Sequence, residues 1–317
     1  MIRVALVGAG GWGRQHARVF SAHPDVEFVA ICGRTPERTG RRADEFGVRA
    51  YTDLDAMLEK ERPDLVSLCL PNQGHFEPTM RVIRAGFPLL VEKPLTFEVE
   101  EAEALLDAAG DRFFAICFNH RYAEPVRLAK EAIESGRLGE AVFATWRFGG
   151  EGSSDHPYAN LIETQCHGFD MLEHLCGPIA AVSAEFTDAR TTMALSLRFA
   201  SGAIGSLVGS YDTSYAYPDT QRIEVSGTKG RVVIDDTVRR YRFNAAGSEL
   251  GETWEAGYFN DLDREFHRTF DRYIDAMIQA FETGEAPPVH ARAGLRALRL
   301  AHAAMESVET GRRVDTP

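Results

Sequence analysis

Residues 2–13 read IRVALVGAGGWG, a short apolar run that enters a glycine-rich turn. Gly8, Gly10 and Gly13 have the spacing G-x-G-x-x-G, and the residues that follow have helical character. In a dinucleotide-binding βαβ unit the first glycine allows the tight turn, the second lets the backbone approach a pyrophosphate, and the third lets the helix pack on the strand. An ordinary glycine-rich turn is the alternative. The pattern predicts cofactor contacts at five residues: Gly8, Gly10, Gly11, Trp12 and Gly13.

Strand-like and helix-like segments alternate from this turn to about residue 119. The strand-like segments are continuous apolar runs, as expected when both faces of a sheet are covered. Such alternation predicts a parallel sheet with right-handed crossovers, and we assign residues 1–119 to a Rossmann dinucleotide-binding domain. Predicted strands are 2–7, 26–32, 64–70, 88–94 and 113–119, and predicted helices are 37–47, 53–62, 76–86 and 99–110.

The pattern changes after residue 119. Several segments alternate polar and apolar residues, which is typical of a sheet with one solvated face. We therefore predict that residues 120–317 form an α+β domain with a large, mostly antiparallel sheet and helices on one face. Predicted strands are 141–149, 180–188, 191–200, 202–211, 222–228 and 231–236, and predicted helices are 127–136, 162–177, 264–284 and 292–311.

Composition excludes several functional classes. The formal net charge of −12 disfavours nucleic acid as a partner, because a negative surface repels phosphate backbones. No apolar run approaches the roughly 20 residues that span a bilayer, and MIRVALV lacks the pattern of a signal peptide. The five cysteines are odd in number and form no C-x-x-C pair, so a reducing compartment fits. We expect a cytoplasmic protein with no membrane partner.

The end of the second predicted strand bears on cofactor choice. An acidic residue there would bind a ribose 2′-hydroxyl and repel a 2′-phosphate. Gly33 occupies that place, and Arg34 and Thr35 follow it. Arg34 could pair with a phosphate, so NADP is favoured over NAD. The alternative is that Arg34 stacks on adenine or faces water, which leaves both cofactors usable.

Several later motifs resemble one known family. Pro71-Asn72 and Glu92-Lys93-Pro94 each follow a predicted strand, and Asn119-His-Arg121-Tyr122 follows the last one. The segment Glu163-x-x-x-His167-x-x-Asp170 resembles a D-x-x-x-H-x-x-D helix motif. In this order and spacing the motifs resemble the glucose–fructose oxidoreductase / inositol dehydrogenase / rhizopine catabolism (Gfo/Idh/MocA) oxidoreductases over nearly the whole chain.

The resemblance implies a two-domain dehydrogenase that moves a hydride between NAD(P) and a carbinol carbon of a sugar, cyclitol or related polyol. It implies that Lys93 is the family's catalytic lysine and His167 its proton-transfer histidine. Glu163 stands where many members have aspartate, which puts the proton relay in doubt. The resemblance also implies that residues 120–317 bind the substrate and mediate oligomerisation, as homodimers or homotetramers. Further cofactor contacts are expected at Pro71, Asn72, His75, Glu92 and Lys93.

The residue chemistry supports this mechanism. An imidazole exchanges protons near neutral pH, and Glu163, four residues before His167, would share its helix face. We hypothesise that His167 is the general acid/base, that Lys93 polarises the substrate oxygen and that Glu163 supports the relay. A core histidine and a surface charge pair are the alternatives for His167 and for Glu92-Lys93. Substrate contacts are predicted at Lys93, Asn119, Arg121, Tyr122, Tyr158, Asn160, Glu163 and His167; Arg121 could instead tie the domains together.

Three rival functions remain open at this point. Glu163, His167, Asp170 and His174 fall along one helical stripe and could bind a divalent metal, as in a sugar isomerase or epimerase. We expect no metal, because the helix fits the family pattern without one. A glycoside hydrolase could use transient oxidation by a tightly held NAD. A non-catalytic nucleotide-sensing protein is the third rival, although the presence of Lys93 and His167 speaks against it.

Overall fold

A computed structural model describes residues 1–257 and 265–316 of the 317-residue chain. The chain divides into two compact units. The first contains Met1–Phe118 together with Phe270–Leu298, and the second contains Asn119–Thr269 together with Arg299–Pro317.

The first unit is built on a six-stranded parallel sheet of order β3-β2-β1-β4-β5-β6. This confirms the predicted Rossmann architecture. The strands are β1 (Ile2–Val7), β2 (Val26–Cys32), β3 (Arg49–Tyr51), β4 (Leu65–Leu68), β5 (Leu89–Val91) and β6 (Phe114–Ile116). The helices are α1 (Gly11–Ala22), α2 (Pro36–Phe46), α3 (Leu54–Glu61), α4 (Phe76–Arg84) and α5 (Val99–Ala109).

Local sequence signals explain where these helices begin and end. Asp53 caps α3, since its carboxylate accepts from the backbone amides of Asp55 at 2.9 Å and Ala56 at 3.3 Å. Gly47 ends α2 with a φ of 66°, a left-handed conformation that costs glycine little. Strand β3 was not predicted, because its three residues are partly exposed and lack an apolar run.

Residues 270–298 complete the first unit with parts of two helices, α8 (Arg268–Thr283) and α9 (Arg292–Thr310). The Tyr273 hydroxyl donates to the Ile116 carbonyl at 2.6 Å, and the Ile116 amide donates to the Val289 carbonyl at 3.0 Å. These bonds fasten the segment to edge strand β6, whose backbone groups would otherwise lack partners on that side.

The second unit is built on a nine-stranded sheet of order β14-β13-β12-β11-β7-β10-β9-β8-β15. It is mostly antiparallel, as predicted, with β7 and β10 as the parallel pair. The strands are β7 (Ala141–Gly149), β8 (Ile179–Phe186), β9 (Thr192–Phe199), β10 (Ile204–Ser210), β11 (Gln221–Gly227), β12 (Gly230–Asp235), β13 (Arg240–Ala245), β14 (Gly251–Glu255) and β15 (Val314–Asp315). The last three were not predicted.

Two helices lie in the second unit ahead of the sheet's later strands, α6 (Glu124–Glu134) and α7 (Cys166–Cys176). The helix predicted over 162–177 is split, because Asn160–Thr164 form a π-helical turn before α7 begins. Gly168 lets α7 approach the sheet: a Cβ there would lie 2.6 Å from Nε1 of buried Trp146. Phe143, Ile204 and Val208 point to the opposite face and are exposed.

No helix within residues 1–257 and 265–316 is both long enough and apolar enough to cross a bilayer.

Candidate functional site

The glycine turn follows β1 at the carboxyl edge of the parallel sheet, where ligands bind in such folds. Gly8 has a φ of 123°, and a Cβ at Gly8 would overlap the Cys69 carbonyl. A Cβ at Gly13 would overlap the Gly8 carbonyl in the same way. Gly10 and Gly11 differ, because a Cβ at either would meet nothing within 4 Å. The first and third glycines are thus required by packing, while the middle two leave the turn open to a ligand.

Helix α1 begins at this open side. Gly10 is its N-cap and supplies no side-chain hydrogen bond to the first turn. The amides at the start of a helix have no acceptor within it and carry a partial positive charge, so they suit a pyrophosphate. Trp12 is 48 % exposed in this first turn, and its ring stacks on Phe270 at 5.7 Å.

The end of β2 shows why glycine occupies position 33. A Cβ there would lie 2.5 Å from Thr39 Oγ1 and 3.3 Å from Ala9 Cβ. Thr39 is itself fixed, because its hydroxyl donates to the Thr35 carbonyl at 2.8 Å. Packing of α2 against the turn therefore demands glycine, a reason that the sequence did not suggest. Arg34 and Thr35 are exposed beside it.

A cavity opens beside the glycine turn, and arginines of α2 line it. Its walls are Ala9, Gly10 and Gly11 on one side and Arg38, Arg41, Arg42 and Glu45 on the other. Glu45 pairs with Arg42 and with Arg14, whereas Arg34, Arg38 and Arg41 have no carboxylate partner within the described residues. The open glycine backbone fits the pyrophosphate of a dinucleotide, and the cations offer positive charge for a further phosphate. Sequence reasoning missed the α2 arginines, since they look like an ordinary solvated helix face.

Glu92 holds the backbone beside Lys93. Glu92 is 5 % exposed; its Oε1 lies 3.0 Å from His16 Nε2, and its Oε2 accepts from the Lys93 amide at 3.1 Å. Burial raises the pKa of Glu92, but the His16 hydrogen bond and the charges of His16 and Lys93 outweigh it and leave the pKa below its usual value. Glu92 is therefore a buried anion whose contacts fix the start of the Lys93-Pro94 turn, which contains a cis peptide bond.

His75 braces the same turn from beneath. It is 3 % exposed, with Nδ1 2.6 Å from the Pro94 carbonyl and Nε2 3.1 Å from the Leu70 carbonyl. Burial lowers the pKa of His75 despite these two acceptors. Pro71 is exposed at the end of β4 and Asn72 half-buried, while Lys93 itself is half-buried. The structure thus brings Glu92 and His75 into contact with the turn that contains Lys93.

In the second unit, residues 119–122 form a 3₁₀ turn that is tied down at both ends. Asn119 donates to Thr269 Oγ1 at 2.7 Å. Arg121 makes a two-pronged ion pair with Asp170 of α7, at 2.8 Å and 2.5 Å. Burial raises the pKa of Asp170 and Arg121 opposes that effect. Arg121 and Asn119 therefore fix this turn within the second unit, and Tyr122 lies half-buried at its end.

The π-helical turn before α7 owes its shape to Gln165. The Gln165 amide donates to the Asn160 carbonyl at 2.9 Å, an i to i+5 bond. Its buried side chain accepts from Trp146 Nε1 at 2.9 Å and donates to Asn160 Oδ1 at 3.0 Å. Glu163 lies in this wider turn, half-buried, so the simple i, i+4 geometry expected for Glu163 and His167 does not describe the backbone here.

Two predicted substrate residues are buried in packing roles. Tyr158 is 5 % exposed, with the Arg190 guanidinium 4.7 Å from its ring centre and Phe186 edge-on at 5.5 Å. Asn160 is 2 % exposed and donates to the Thr191 carbonyl at 2.7 Å.

His167 is 6 % exposed near the start of α7, and the ring beside it belongs to His120. The two imidazole centroids are 3.9 Å apart and their planes differ by 10°. His120 was not among the predicted site residues, because its partner is distant in sequence and no motif marks the pair.

Two family models match this sequence. An oxidoreductase family model for an NAD-binding Rossmann fold matches residues 2–114, and its companion model for a C-terminal α/β domain matches residues 130–316. The chain belongs to the Gfo/Idh/MocA oxidoreductase family. It is an NAD(P)-dependent oxidoreductase, as the motifs predicted.

Individual relatives of this Gfo/Idh/MocA member match along their full length. The chain is 27 % identical to inositol 2-dehydrogenase of Rhizobium meliloti, covering 99 % of the chain and 98 % of the relative. It is 28 % identical to D-xylose 1-dehydrogenase (NADP(+)) 2 of Haloferax volcanii, covering 98 % of each. A solved levoglucosan dehydrogenase in complex with NADH and levoglucosan has the same fold, with a TM-score of 0.89 at 22 % identity over 100 % of the chain and 99 % of that structure.

Two of the four residues on the helical stripe Glu163, His167, Asp170 and His174 do not stand as a metal site would require in this Gfo/Idh/MocA member. Asp170 is held by Arg121, and Glu163 lies in the π-helical turn. Among the described residues, the one group whose ligand atoms come within 4.8 Å of each other is His16, Cys69 and Glu92. All three residues are buried, His16 Nε2 lies 3.0 Å from Glu92 Oε1, and Cys69 Sγ lies 3.9 Å from Ser67 Oγ.

Proposed function

We propose that this enzyme oxidises or reduces a carbinol carbon of a sugar, cyclitol or related polyol, with Lys93 and His167 as its catalytic residues. The observation that carries the proposal is the buried Glu92 anion, which fixes the backbone of Lys93 in the same unit as an open glycine turn. The names of the inositol and xylose dehydrogenases support the substrate class.

The proposed roles follow from the side-chain chemistry. A bound nicotinamide supplies the acceptor or donor of the hydride. The Lys93 ammonium donates a hydrogen bond to the reacting oxygen and offsets negative charge there. His167 takes the hydroxyl proton in oxidation and returns it in reduction. Burial raises the pKa of Tyr211 to about 12, and the charge of Glu163 adds to that effect. In this proposal Glu163 supports the proton relay.

We propose NADP as the preferred form of the cofactor. Gly33 leaves no carboxylate where a 2′-phosphate would be repelled, and Arg34, Arg38 and Arg41 are cations without carboxylate partners in the described residues. Replacing Arg38 and Arg41 with alanine should lower kcat/KM for NADP by roughly tenfold to a hundredfold and leave NAD nearly unchanged, because only NADP carries the extra phosphate. An equal loss with both cofactors would contradict this preference.

We propose a homodimer or homotetramer that uses the solvated face of the large sheet. Phe143, Ile204 and Val208 are exposed there, and Ile204 pairs directly with Phe143 across the β7–β10 ladder. Such an apolar group on an ordered face is typical of an interface. Light scattering on the variant Ile204→Glu should show a smaller species. Leu250→Glu, which changes an exposed leucine directly before β14, is the matched control and should keep the native mass.

A cytoplasmic location is part of the proposal. All five cysteines are free thiols, and burial raises the pKa of the Cys69 and Cys117 thiols well above the usual value. Buried unpaired thiols suit a reducing compartment. Fractionation of the native host should recover the protein with cytoplasmic markers; recovery with exported proteins would contradict the assignment.

A cofactor-reduction screen over sugars, cyclitols and amino sugars, with NAD and NADP side by side, tests the function. We expect at least one polyol to reduce the cofactor, and we expect Lys93→Met and His167→Ala to abolish turnover while the fold is kept. Lys60→Met, at an exposed lysine of α3, is the control and should be fully active. Wild-type turnover in Lys93→Met, or release of a glycoside without net reduction, would overturn the proposal.

A further inference from the structure

The stacked imidazoles of His120 and His167 form a pair for which the proposed mechanism has used only one ring. His120 is 4 % exposed and comes from the 3₁₀ turn at 119–122, while His167 comes from α7. A centroid separation of 3.9 Å and an interplanar angle of 10° place the rings in face-to-face contact. Any rotation of the His167 ring would therefore collide with His120.

His120 is itself rigidly placed. Phe266 packs edge-on against its ring at 5.1 Å, and Trp146 lies at 6.5 Å. The turn that bears His120 is fixed on both sides by the Arg121–Asp170 and Asn119–Thr269 contacts described above. A side chain held by neighbours in this way can hold a reactive ring in one orientation.

Gln221 selects one form of His120. Its amide Nε2 lies 3.3 Å from His120 Nδ1, and its buried Oε1 has no hydrogen-bond partner within the described residues. An amide N–H donates only to a ring nitrogen that lacks a proton. With the Gln221 amide in this orientation His120 Nδ1 is the acceptor, which corresponds to a neutral His120 with its proton on Nε2, and a protonated His120 would set an N–H against the Gln221 amide.

We propose that His120 is a positioning residue for His167: stacking holds the His167 ring in place, and the Gln221 contact keeps His120 neutral, so that the additional proton taken up in the reaction resides on His167. The inference rests on the proposed role of His167 in proton transfer.

The charges around the pair are consistent with one additional proton, so that only one of the two rings is an imidazolium. Two imidazolium ions at this separation would repel strongly in a buried setting. Arg121 and Asp170 neutralise each other, and burial lowers the pKa of His174 to about 3, which leaves it uncharged near neutrality. Other titratable groups on the described parts of the elements that carry or contact the pair include Tyr122, Glu163, Glu173, Glu265 and His267.

Two substitutions separate stacking from simple filling of space. His120→Phe keeps a planar ring against His167, and His120→Leu removes it. We expect kcat to fall by roughly tenfold to a hundredfold in His120→Leu with KM nearly unchanged, and by only about threefold in His120→Phe, since orientation of an acid/base group acts on the chemical step. Equal losses in the two variants, or a loss confined to KM, would overturn the stacking role.

Nitrogen NMR of histidine-labelled enzyme decides the proton assignment without any substrate. In the wild type we expect His120 Nδ1 to be unprotonated throughout the titration of His167, and in His120→Leu we expect the His167 signals to shift and broaden. In Gln221→Glu a carboxylate can accept from His120 Nδ1–H, so the additional proton should move from His167 to His120. A protonated His120 Nδ1 in the wild type, or unchanged His167 signals in His120→Leu, would contradict the inference even if no polyol were turned over; absence of turnover alone would count against the proposed function.

Discussion

Replacing Glu92 with glutamine tests the contacts that fix the Lys93 backbone. The carboxylate lies 3.0 Å from His16 Nε2 and accepts from the Lys93 amide at 3.1 Å. Glutamine has the same shape but no charge. Its single carbonyl oxygen can serve Lys93, and its NH₂ group then faces His16, whose ring can adapt by donating from Nδ1 to Ser67 Oγ, 3.0 Å away.

The expected loss follows from the hydrogen bonds that change character. A hydrogen bond to a charged group contributes about 1.5–3 kcal/mol and a neutral one about 0.5–1.5 kcal/mol, so weakening two of them should lower the free energy of unfolding by about 2–3 kcal/mol at neutral pH. Because the folded-state pKa of Glu92 lies below its usual 4.5, its charge stabilises the fold above that pH. The difference between wild type and variant should therefore shrink as the pH falls below 4.5 and through the folded-state value.

Urea unfolding and steady-state kinetics measure the two consequences. Looser placement of the Lys93 backbone should reduce kcat by about tenfold, since a misplaced catalytic group raises the barrier of the chemical step. Glu100→Gln, at an exposed position in the first turn of α5, is the matched control and should change neither quantity. A Glu92→Gln enzyme as stable and as active as wild type at neutral pH would refute the reasoning.

Three further perturbations follow from buried groups of the second unit. Arg121→Ala leaves the Asp170 carboxylate without its two-pronged partner, so urea unfolding should show a loss of about 3–5 kcal/mol, and an unchanged midpoint would contradict the pair. Burial lowers the pKa of His174 to about 3, so between about pH 6.5 and pH 3 only the unfolded chain takes up a proton on this residue. The free energy of unfolding should therefore fall by about 2 kcal/mol on acidification to about pH 5. His174→Gln should weaken this pH dependence, and an unchanged dependence would contradict the lowered pKa of His174. Gly168→Ala adds a methyl group 2.6 Å from Trp146 Nε1, which should cost about 1–3 kcal/mol and alter tryptophan fluorescence; an unaltered spectrum and stability would show that the sheet yields freely.

Local patterns carried most of the first unit. Short stretches of sequence contain the G-x-G-x-x-G turn, the apolar strands and the Asp53 cap. The parallel sheet and the starts of helices could therefore be predicted. The return of Phe270–Leu298 to this unit depends instead on contacts such as Tyr273 with Ile116, and no local pattern marks them. Strand β14 escaped prediction because it lies at a sheet edge, where polar side chains are common, and β13 because Tyr241 and Phe243 alone give it an apolar face.

The candidate site divides in the same way. Glu92, Lys93 and His167 stand in motifs and could be proposed from the sequence. The reason for glycine at position 33 is the hydroxyl of Thr39, a tertiary contact that the motif does not contain. His120 gained its interest only from the ring of His167 stacked upon it, and the π-helical turn around Glu163 depends on the buried amide of Gln165.

The most direct measurement of the central claim is isotope transfer from carbon to cofactor. The polyol that gives the fastest cofactor reduction would be prepared with deuterium on its carbinol carbon, and the reduced NAD(P)H would be isolated for mass spectrometry. Direct hydride transfer predicts one deuterium in each reduced nicotinamide, and a slower cofactor reduction with the labelled polyol than with the unlabelled one. Lys93→Met should abolish the reduction. Reduced cofactor without deuterium, or deuterium lost to water, would contradict the account.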